Sequence, residues 1–420
     1  MPDPASLTTV RLERPVHGGL TIGRLADGRV ILVAGGLPDE LVSVSTQERK
    51  GVVFGEVVSV LEPSTARVEA SEHPGLDLAH AAYPLQLEIK RAVVVDAVAR
   101  ALKRDVEVPA VVASPQIWGY RSVVQPAVHA GGLGYRRPQS RGVVHLDRDP
   151  VATAGVRAAW DVIAPRIAAD ALTYKTVVEI VIRANEAGAA LVTLVATAHP
   201  RKLMDEAHAL VDAGIAGVAH AAYDERGRFR SGFERLAGAR ATLVRYGDIE
   251  LTVAHGSFAQ PNIAAAARLF ADLASLAGSG GHAVDLYAGG GPIAMHLAPN
   301  FTRVIAFELD RSAMTHGSHD AERQGLDNVA FVRGDAKRQA LPADAELIVV
   351  DPPRSGLARE VRDKILDSAV GRLVYVSCEV STWARDVADF EARGFSLVSV
   401  APHDFYPHTH HVELLSLLAR

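Results

Sequence analysis

From Gly256 onward, short and almost continuous apolar stretches alternate with amphipathic ones, and this alternation is the strongest constraint on the fold. HAVDLYAG, RVIAFEL, VAFVRGD, ELIVVDPP and RLVYVSC have the character of strands. Asn262–Ala277, IAMHLAP, SAMTHGSHDAERQGL and EVRDKILDSAV have that of helices. Strands without polar alternation are buried on both faces, and helices between them supply the crossovers of a parallel, doubly wound sheet. Ligands of such sheets lie beyond the carboxyl ends of the strands. Four of those ends carry Tyr287-Ala288-Gly289, Glu308, Asp351-Pro352-Pro353 and Ser377-Cys378, so the polar and reactive residues are expected on one rim.

The upstream chain has a different grain. Residues 1–71 hold TVRLERPV, LTIGRLADGRVILVAG, ELVSVSTQ and VVFGEVVSVLE, punctuated by Gly18-Gly19, Asp27-Gly28 and Gly35-Gly36. Short strands with glycine turns predict a small OB-like barrel, which serves either oligonucleotide binding or structure alone. Residues 72–255 predict an α+β region. It opens with a helix near 84–104 that is expected to pack on the last domain. ATAGVRAAWDVIAPRIAADAL predicts a second helix, VVEIVIRANEAGAALVTLVAT two strands around a turn, and Pro200–Ala213 another helix. GIAGVAHAAYD predicts a strand, followed by the Gly- and Arg-rich turn ERGRFRSGFER. The whole is a multidomain α/β protein: barrel, central α+β domain, and a Rossmann-like domain over 256–420.

Composition excludes several classes. No apolar run approaches the ~20 residues that span a bilayer, and MPDPASLTTV lacks the pattern of a secretory signal. A cytoplasmic monomer with no membrane partner is the expectation. Cys378 is the one cysteine, which leaves no internal disulfide and no all-cysteine metal or iron–sulfur site. The net charge of −5 weighs against a nucleic-acid partner, but placement matters more than the sum. Val108–Leu146 has no Asp or Glu and holds Arg121, Arg136, Arg137 and Arg141 among Trp118, Tyr120 and Tyr135. Arginines interleaved with aromatics suit phosphates and stacked bases, or equally a loop-rich surface with core aromatics.

Individual motifs sharpen the chemistry. Gly289, Gly291 and Ala294 in DLYAGGGPIA form G-x-G-x-x-A between a strand and a helix, so a ligand can approach the backbone. Glu308 stands 23 residues after Asp285 at the next strand end, suited to ribose hydroxyls. The pair fits an adenosine-containing cofactor, either a nicotinamide dinucleotide or S-adenosylmethionine. Asp335 is placed either to meet an adenine amino group or to cap AKRQAL. Asp351, stiffened by two prolines, suits a planar polar edge. Cys378 at a strand end and Glu413 in HVELLSLL suit covalent catalysis on a pyrimidine, thiolate adding and carboxylate removing a proton. The histidines of FYPHTHH, His410 among them, fit substrate orientation or phosphate better than a metal.

FAQPN, DLYAGGG, VVDPPRSGL, YVSCE and FYPHTHHVELLSLL, in this order, resemble the RNA (uracil-5-)-methyltransferase family, and the resemblance covers nearly the whole chain. It implies a class I methyltransferase domain, and GLPDE and STARVEA resemble parts of the TRAM RNA-binding module. It implies Cys378 as nucleophile, Glu413 as general base, Asp351 as the residue positioning uracil and cofactor, and S-adenosylmethionine contacts at Gln260, Tyr287, Gly289, Gly291, Glu308, Asp335 and Asp351. The barrel implies 23S ribosomal RNA as substrate, with tRNA the alternative. Many relatives carry a four-cysteine iron–sulfur site; here Leu76 and Asp149 stand near two of those positions. Pro292 replaces a common asparagine and removes a backbone donor from the cofactor loop. Amino-group methylation and a non-catalytic RNA-binding protein are the competing readings; the first leaves Cys378 without a task, and an intact Cys378 and Glu413 oppose the second.

Overall fold

The computed structural model describes residues 7–129, 131–138, 140, 142–169, 171–225 and 232–420. Strands Leu7–Val16, Leu20–Arg24, Val30–Ala34, Leu41–Arg49 and Val52–Glu62 form a closed barrel. Their spatial order is first, second, third, fifth, fourth, with the fourth pairing back onto the first. Alternate residues Val10, Leu12, Ile31, Val33, Val42 and Val44 fill the interior. Glu40, fully buried, ties the barrel to the chain that leaves it. Its carboxylate accepts from the Leu37 amide (2.8 Å), the Ser64 amide (3.1 Å) and Arg67 Nε (2.6 Å).

The central sheet is built on Val177–Ala184 and Ala190–Ala196, antiparallel around the expected turn. Gly217–Ala222 joins in parallel after helix Met204–Asp212, which begins with a 3-10 turn over Pro200–Leu203. Helix Ala154–Ala169 covers one face, with Trp160, Ile163 and Ile167 against Ile180, Ile182 and Val192. Two strand features go beyond the sequence reading: Glu234–Gly238 extends the sheet, and Ala241–Tyr246 pairs with Ile249–Ala254 as a separate hairpin. Val244, Tyr246, Leu251 and Val253 of that hairpin pack with Leu269, Phe270 and Ile293 of the last domain. In the expected turn ERGRFRSGFER, residues 226–231 lie outside those described.

The last domain carries a seven-stranded sheet. Five strands are parallel as expected: Val329–Arg333, Phe301–Glu308, Gly280–Leu286, Leu347–Val350 and Arg372–Ser377, in that spatial order. The purely parallel expectation is corrected at the end. Glu413–Ala419 runs antiparallel between Arg372–Ser377 and Ser396–His403. The connection over 404–412 contains no helix, so a crossover to parallel pairing has no means of forming. No helix among the described residues is long and apolar enough to cross a membrane.

Helix Tyr83–Leu102 packs on this domain: Val94 and Val98 share a core with Trp383, Val387 and Phe390. From the same helix, Lys90 Nζ donates to Asp404 Oδ1 (2.6 Å) and to the Tyr406 carbonyl (3.0 Å), with both charged side chains inaccessible to solvent. Gln86 Oε1 accepts from the His408 amide at 2.7 Å. Removing one partner of a buried ion pair leaves an uncompensated charge and costs about 3–5 kcal/mol. Lys90→Met is therefore expected to lower the unfolding free energy by that order in urea titration. The double variant Lys90→Met/Asp404→Leu should recover most of the loss.

Candidate active site

Strand order places the functional side chains. Phe301–Glu308, Gly280–Leu286, Leu347–Val350 and Arg372–Ser377 are successive neighbours, so Glu308, Tyr287, Asp351 and Cys378 end up side by side. The antiparallel last strand begins where the parallel strands end. Its register pairs Ser377 with Leu414 as the last rung of the ladder, so Cys378 and Glu413 come next at the adjoining ends of the two strands. Cys378, Glu413, Asp351, Gln260, Tyr287, Gly289 and Glu308 all line one cleft of about 930 Å³. The sulfur and the acid that sequence reasoning paired from a distance therefore share a chamber.

The cofactor side of the cleft is held by backbone donors. Glu308 accepts from the Gly289 amide through Oε2 and from the Asp310 amide through Oε1, both at 2.7 Å. Each oxygen keeps a lone pair for a hydroxyl. Tyr287 adopts φ +68°, a left-handed conformation that is strained for a bulky residue and common at functional sites. Asn262 caps helix Ile263–Ala277 through the Ala265 amide and donates to the Phe405 carbonyl (2.9 Å), joining the FAQPN loop to the loop before Glu413.

Two of the expected cofactor residues have other surroundings. Gly291 does not line the cleft; at φ +82°, an added Cβ would sit 2.3 Å from the Phe331 ring, so the glycine serves close packing. Asp335 also lies off the cleft; its carboxylate accepts from the Lys337 amide at 2.9 Å within a turn, and since AKRQAL forms no helix the capping expectation is corrected to a turn. Pro292 occupies the first position of helix Pro292–Leu297, where a missing amide costs no helical bond. Asp285 has a role the sequence did not reveal. It is fully buried, Oδ2 accepts from the Ala294 amide (3.1 Å), and Oδ1 has no partner among the described residues.

The electrostatics are those of acids crowded in a poorly solvated place. Burial pushes the Cys378 thiol up to about 11, with Glu413 and Asp351 adding repulsion and Arg354 opposing it. Burial, then Asp351, raises the Glu413 carboxyl well above its usual range, again against Arg354. Burial alone brings Asp351 up to about 7. Arg354, Tyr406 and the largely exposed Phe258 also line the cleft without having been assigned a role beforehand, together with His411, one of the FYPHTHH histidines read as orienting substrate or phosphate. Only the unspent charge of Arg354 after Asp-Pro-Pro was a usable signal. Burial lowers His411 to about 4, so its imidazole is neutral at pH 7.

The candidate RNA-binding residues divide. Arg121 and Arg136 line a second cavity, and the Arg121 guanidinium lies 5.8 Å from the centre of the Tyr406 ring. Arg137 is exposed, Arg141 lies outside the described residues, and His410 is tied through its amide (2.9 Å) and ring to Asp77. The residues at the family's cluster positions do not fit an iron–sulfur group. Leu76 is buried with Ala79, Tyr120 and Val151, and Asp149 accepts from Tyr135 Oη (2.5 Å) and the Val151 amide (2.9 Å). Among the described residues there is no group of three or more metal-ligating side chains.

The model for tRNA (Uracil-5-)-methyltransferase matches residues 243–342 and 341–420. An RNA methyltransferase of Thermosynechococcus vestitus, itself uncharacterized, is 30% identical, with 97% of each chain covered. A second uncharacterized RNA methyltransferase, from Gloeobacter violaceus, is 30% identical over 98% of this chain and 96% of its own. The crystal structure of Pyrococcus abyssi tRNA (uracil-54, C5)-methyltransferase with S-adenosyl-L-homocysteine superposes with a TM-score of 0.78 at 24% identity, covering 98% of this chain and 100% of that one. That likeness shows a shared fold across the full length, barrel included. These matches and the geometry of the cleft define an RNA-modifying methyltransferase. The chain belongs to the RNA (uracil-5-)-methyltransferase family.

Because the thiolate is the nucleophile, the raised thiol fixes a pH dependence. Alkylation of Cys378 by iodoacetamide in the ligand-free protein should rise roughly ten-fold per pH unit from neutrality without levelling off below about 11. Glu413→Gln, which removes a group that repels the thiolate once it ionises, should speed alkylation only at pH values above the raised titration of that carboxyl and leave it unchanged below; mass spectrometry reads both.

Proposed function

We propose that the protein methylates carbon 5 of a uridine in RNA through a covalent adduct on Cys378. The placement of Cys378 and Glu413 at adjoining strand ends, in one cleft that also holds Glu308, Tyr287 and Asp351, carries the reading. S-adenosylmethionine fits the second half of that cleft, with Glu308 toward ribose and Tyr287, Gly289, Gln260 and Asp351 around it. When bound it supplies an electrophilic methyl group.

The chain's own residues do the rest. The Cys378 thiolate adds to carbon 6 of uracil, and the displaced π electrons make carbon 5 nucleophilic. After carbon 5 has been methylated, the Glu413 carboxylate takes its proton. The carbon 5–carbon 6 double bond re-forms and the sulfur leaves as thiolate, so atoms and electrons balance. Arg354 is the cation that favours thiolate and carboxylate in a site that otherwise opposes both. Asp351, beside both reacting residues, orients the base. The uridine has to leave its stack to reach this chamber.

The barrel at 1–71 is assigned as a TRAM-type RNA-binding module, and the central region from 72 as the rest of the RNA surface. The hairpin at 241–254 is grouped with the catalytic domain because its side chains complete that core. The barrel favours 23S ribosomal RNA. A tRNA substrate is favoured by the family description and by the Pyrococcus abyssi tRNA enzyme, which matches this chain over its full length.

Incubation of unmodified ribosomal RNA and tRNA with labelled methyl donor, followed by mapping of 5-methyluridine, tests the substrate. For the mechanism, Cys378→Ala should lose turnover by at least ~1,000-fold while RNA affinity stays within about two-fold. A 5-fluorouridine RNA should trap a stable adduct on Cys378. Full turnover by Cys378→Ala would exclude the mechanism. Glu413→Gln should accumulate methylated adduct on natural RNA, since elimination then lacks its base.

A further inference from the structure

Beside the catalytic cleft lies a second cavity of about 380 Å³, within the range of small-molecule sites. The two share a thin wall: Arg121 lines this cavity, its guanidinium lies over Tyr406, and Tyr406 lines the cleft with Cys378. The cavity has the parts that recognise a splayed base. Tyr135 and His73 form an aromatic wall, their rings 4.4 Å apart and both on the lining. Glu179, 6% exposed, presents a carboxylate that accepts from Gln125 Nε2 at 2.8 Å and lies 3.9 Å from Arg136. Arg121 has a buried Nε with no hydrogen-bond partner among the described residues. Asp149, also on the lining, is occupied by Tyr135 and Val151 and holds the wall in place.

We propose that this cavity receives a second nucleobase of the same RNA strand, a guanine one or two nucleotides from the target uridine. Guanine offers two acceptors, O6 and N7, that suit arginine, and donors on N1 and N2 that suit a carboxylate. Arg121 and Arg136 supply the first contact and Glu179 the second. Splayed bases in single-stranded RNA are held by such stacking and edge contacts, and the shared wall puts a neighbouring base within reach. The inference rests on the assignment of RNA as substrate and gives that substrate a sequence preference.

The test uses the full-length protein and short single-stranded RNAs with one 5-fluorouridine and each base in turn at the two flanking positions on either side. Fluorescence anisotropy reads affinity, and mass spectrometry reads the adduct on Cys378 from the same samples. Guanine at one flanking position should bind about ten- to a hundred-fold tighter than adenine or uracil. Glu179→Ala should erase that preference. Arg136→Ala, a change on an exposed side chain, should weaken it if Glu179→Ala proves unstable. Equal affinity for all bases at every flanking position, or a preference untouched by both variants, would overturn the proposal. A guanine preference that depends on Glu179 without an adduct on Cys378 would support the cavity and count against the covalent mechanism alone.

Discussion

The buried bond between Lys90 and Asp404 is the interaction on which the rest of this site depends. The loop over 404–412 has no regular structure of its own, yet it carries Tyr406 and His411 into the cleft and delivers the chain to Glu413. Its anchors come from far away in sequence. Lys90 and Gln86 reach it from one helix, the Leu78 amide donates to the His408 carbonyl, Tyr120 Oη donates to the Pro407 carbonyl, and Trp118 stacks on His408. In a medium that screens little, a paired lysine and aspartate hold firmly and tolerate no unpaired alternative. The general-base candidate is thus positioned by residues from the segment between the barrel and the central sheet.

That arrangement explains why the upstream region cannot be regarded as an RNA-binding appendage. Helix Tyr83–Leu102 shares the apolar core of the catalytic domain, and an isolated bridge aligns Val112 with His403. From the central sheet, Arg183 donates to the Ser257 carbonyl at 2.6 Å, just before the FAQPN loop that lines the cleft. From the barrel, His17 lies 2.8 Å from Glu379, the residue after Cys378. Each upstream element meets the catalytic rim through a polar contact. Whatever binds those elements therefore acts on the same frame that holds the sulfur and the acid.

The chemistry of the rim is a balance between desolvation and one cation. Glu413 and Asp351 disfavour the charged form of Cys378, Asp351 disfavours that of Glu413, burial alone raises Asp351, and Arg354 favours ionisation of Cys378 and Glu413. At neutral pH Cys378 and Glu413 are therefore largely protonated, while Asp351, at about 7, is divided between its two forms. A thiol kept in reserve is protected from oxidation and alkylation, which follow the thiolate.

The primary structure by itself determined the five parallel strands, the four strand ends that meet on the rim, and the identities of Cys378, Asp351 and Glu308 there, because buried parallel strands leave an unbroken apolar signature and end in visible polar residues; Glu413 stood out as a carboxylate among apolar neighbours. It also showed the barrel, whose glycine turns and alternation are local signals. Tertiary structure alone decided that Glu413 comes into the same cleft as Cys378, since this follows from an antiparallel register between strands far apart in the chain. It decided that Gly289 faces the cleft while Gly291 faces Phe331, a difference of neighbours that two identical residues cannot express locally. It also decided that Asp335 turns to a backbone amide and that Arg121 joins two cavities. These are facts of who lies next to whom across long sequence separations, and periodicity carries no information about them.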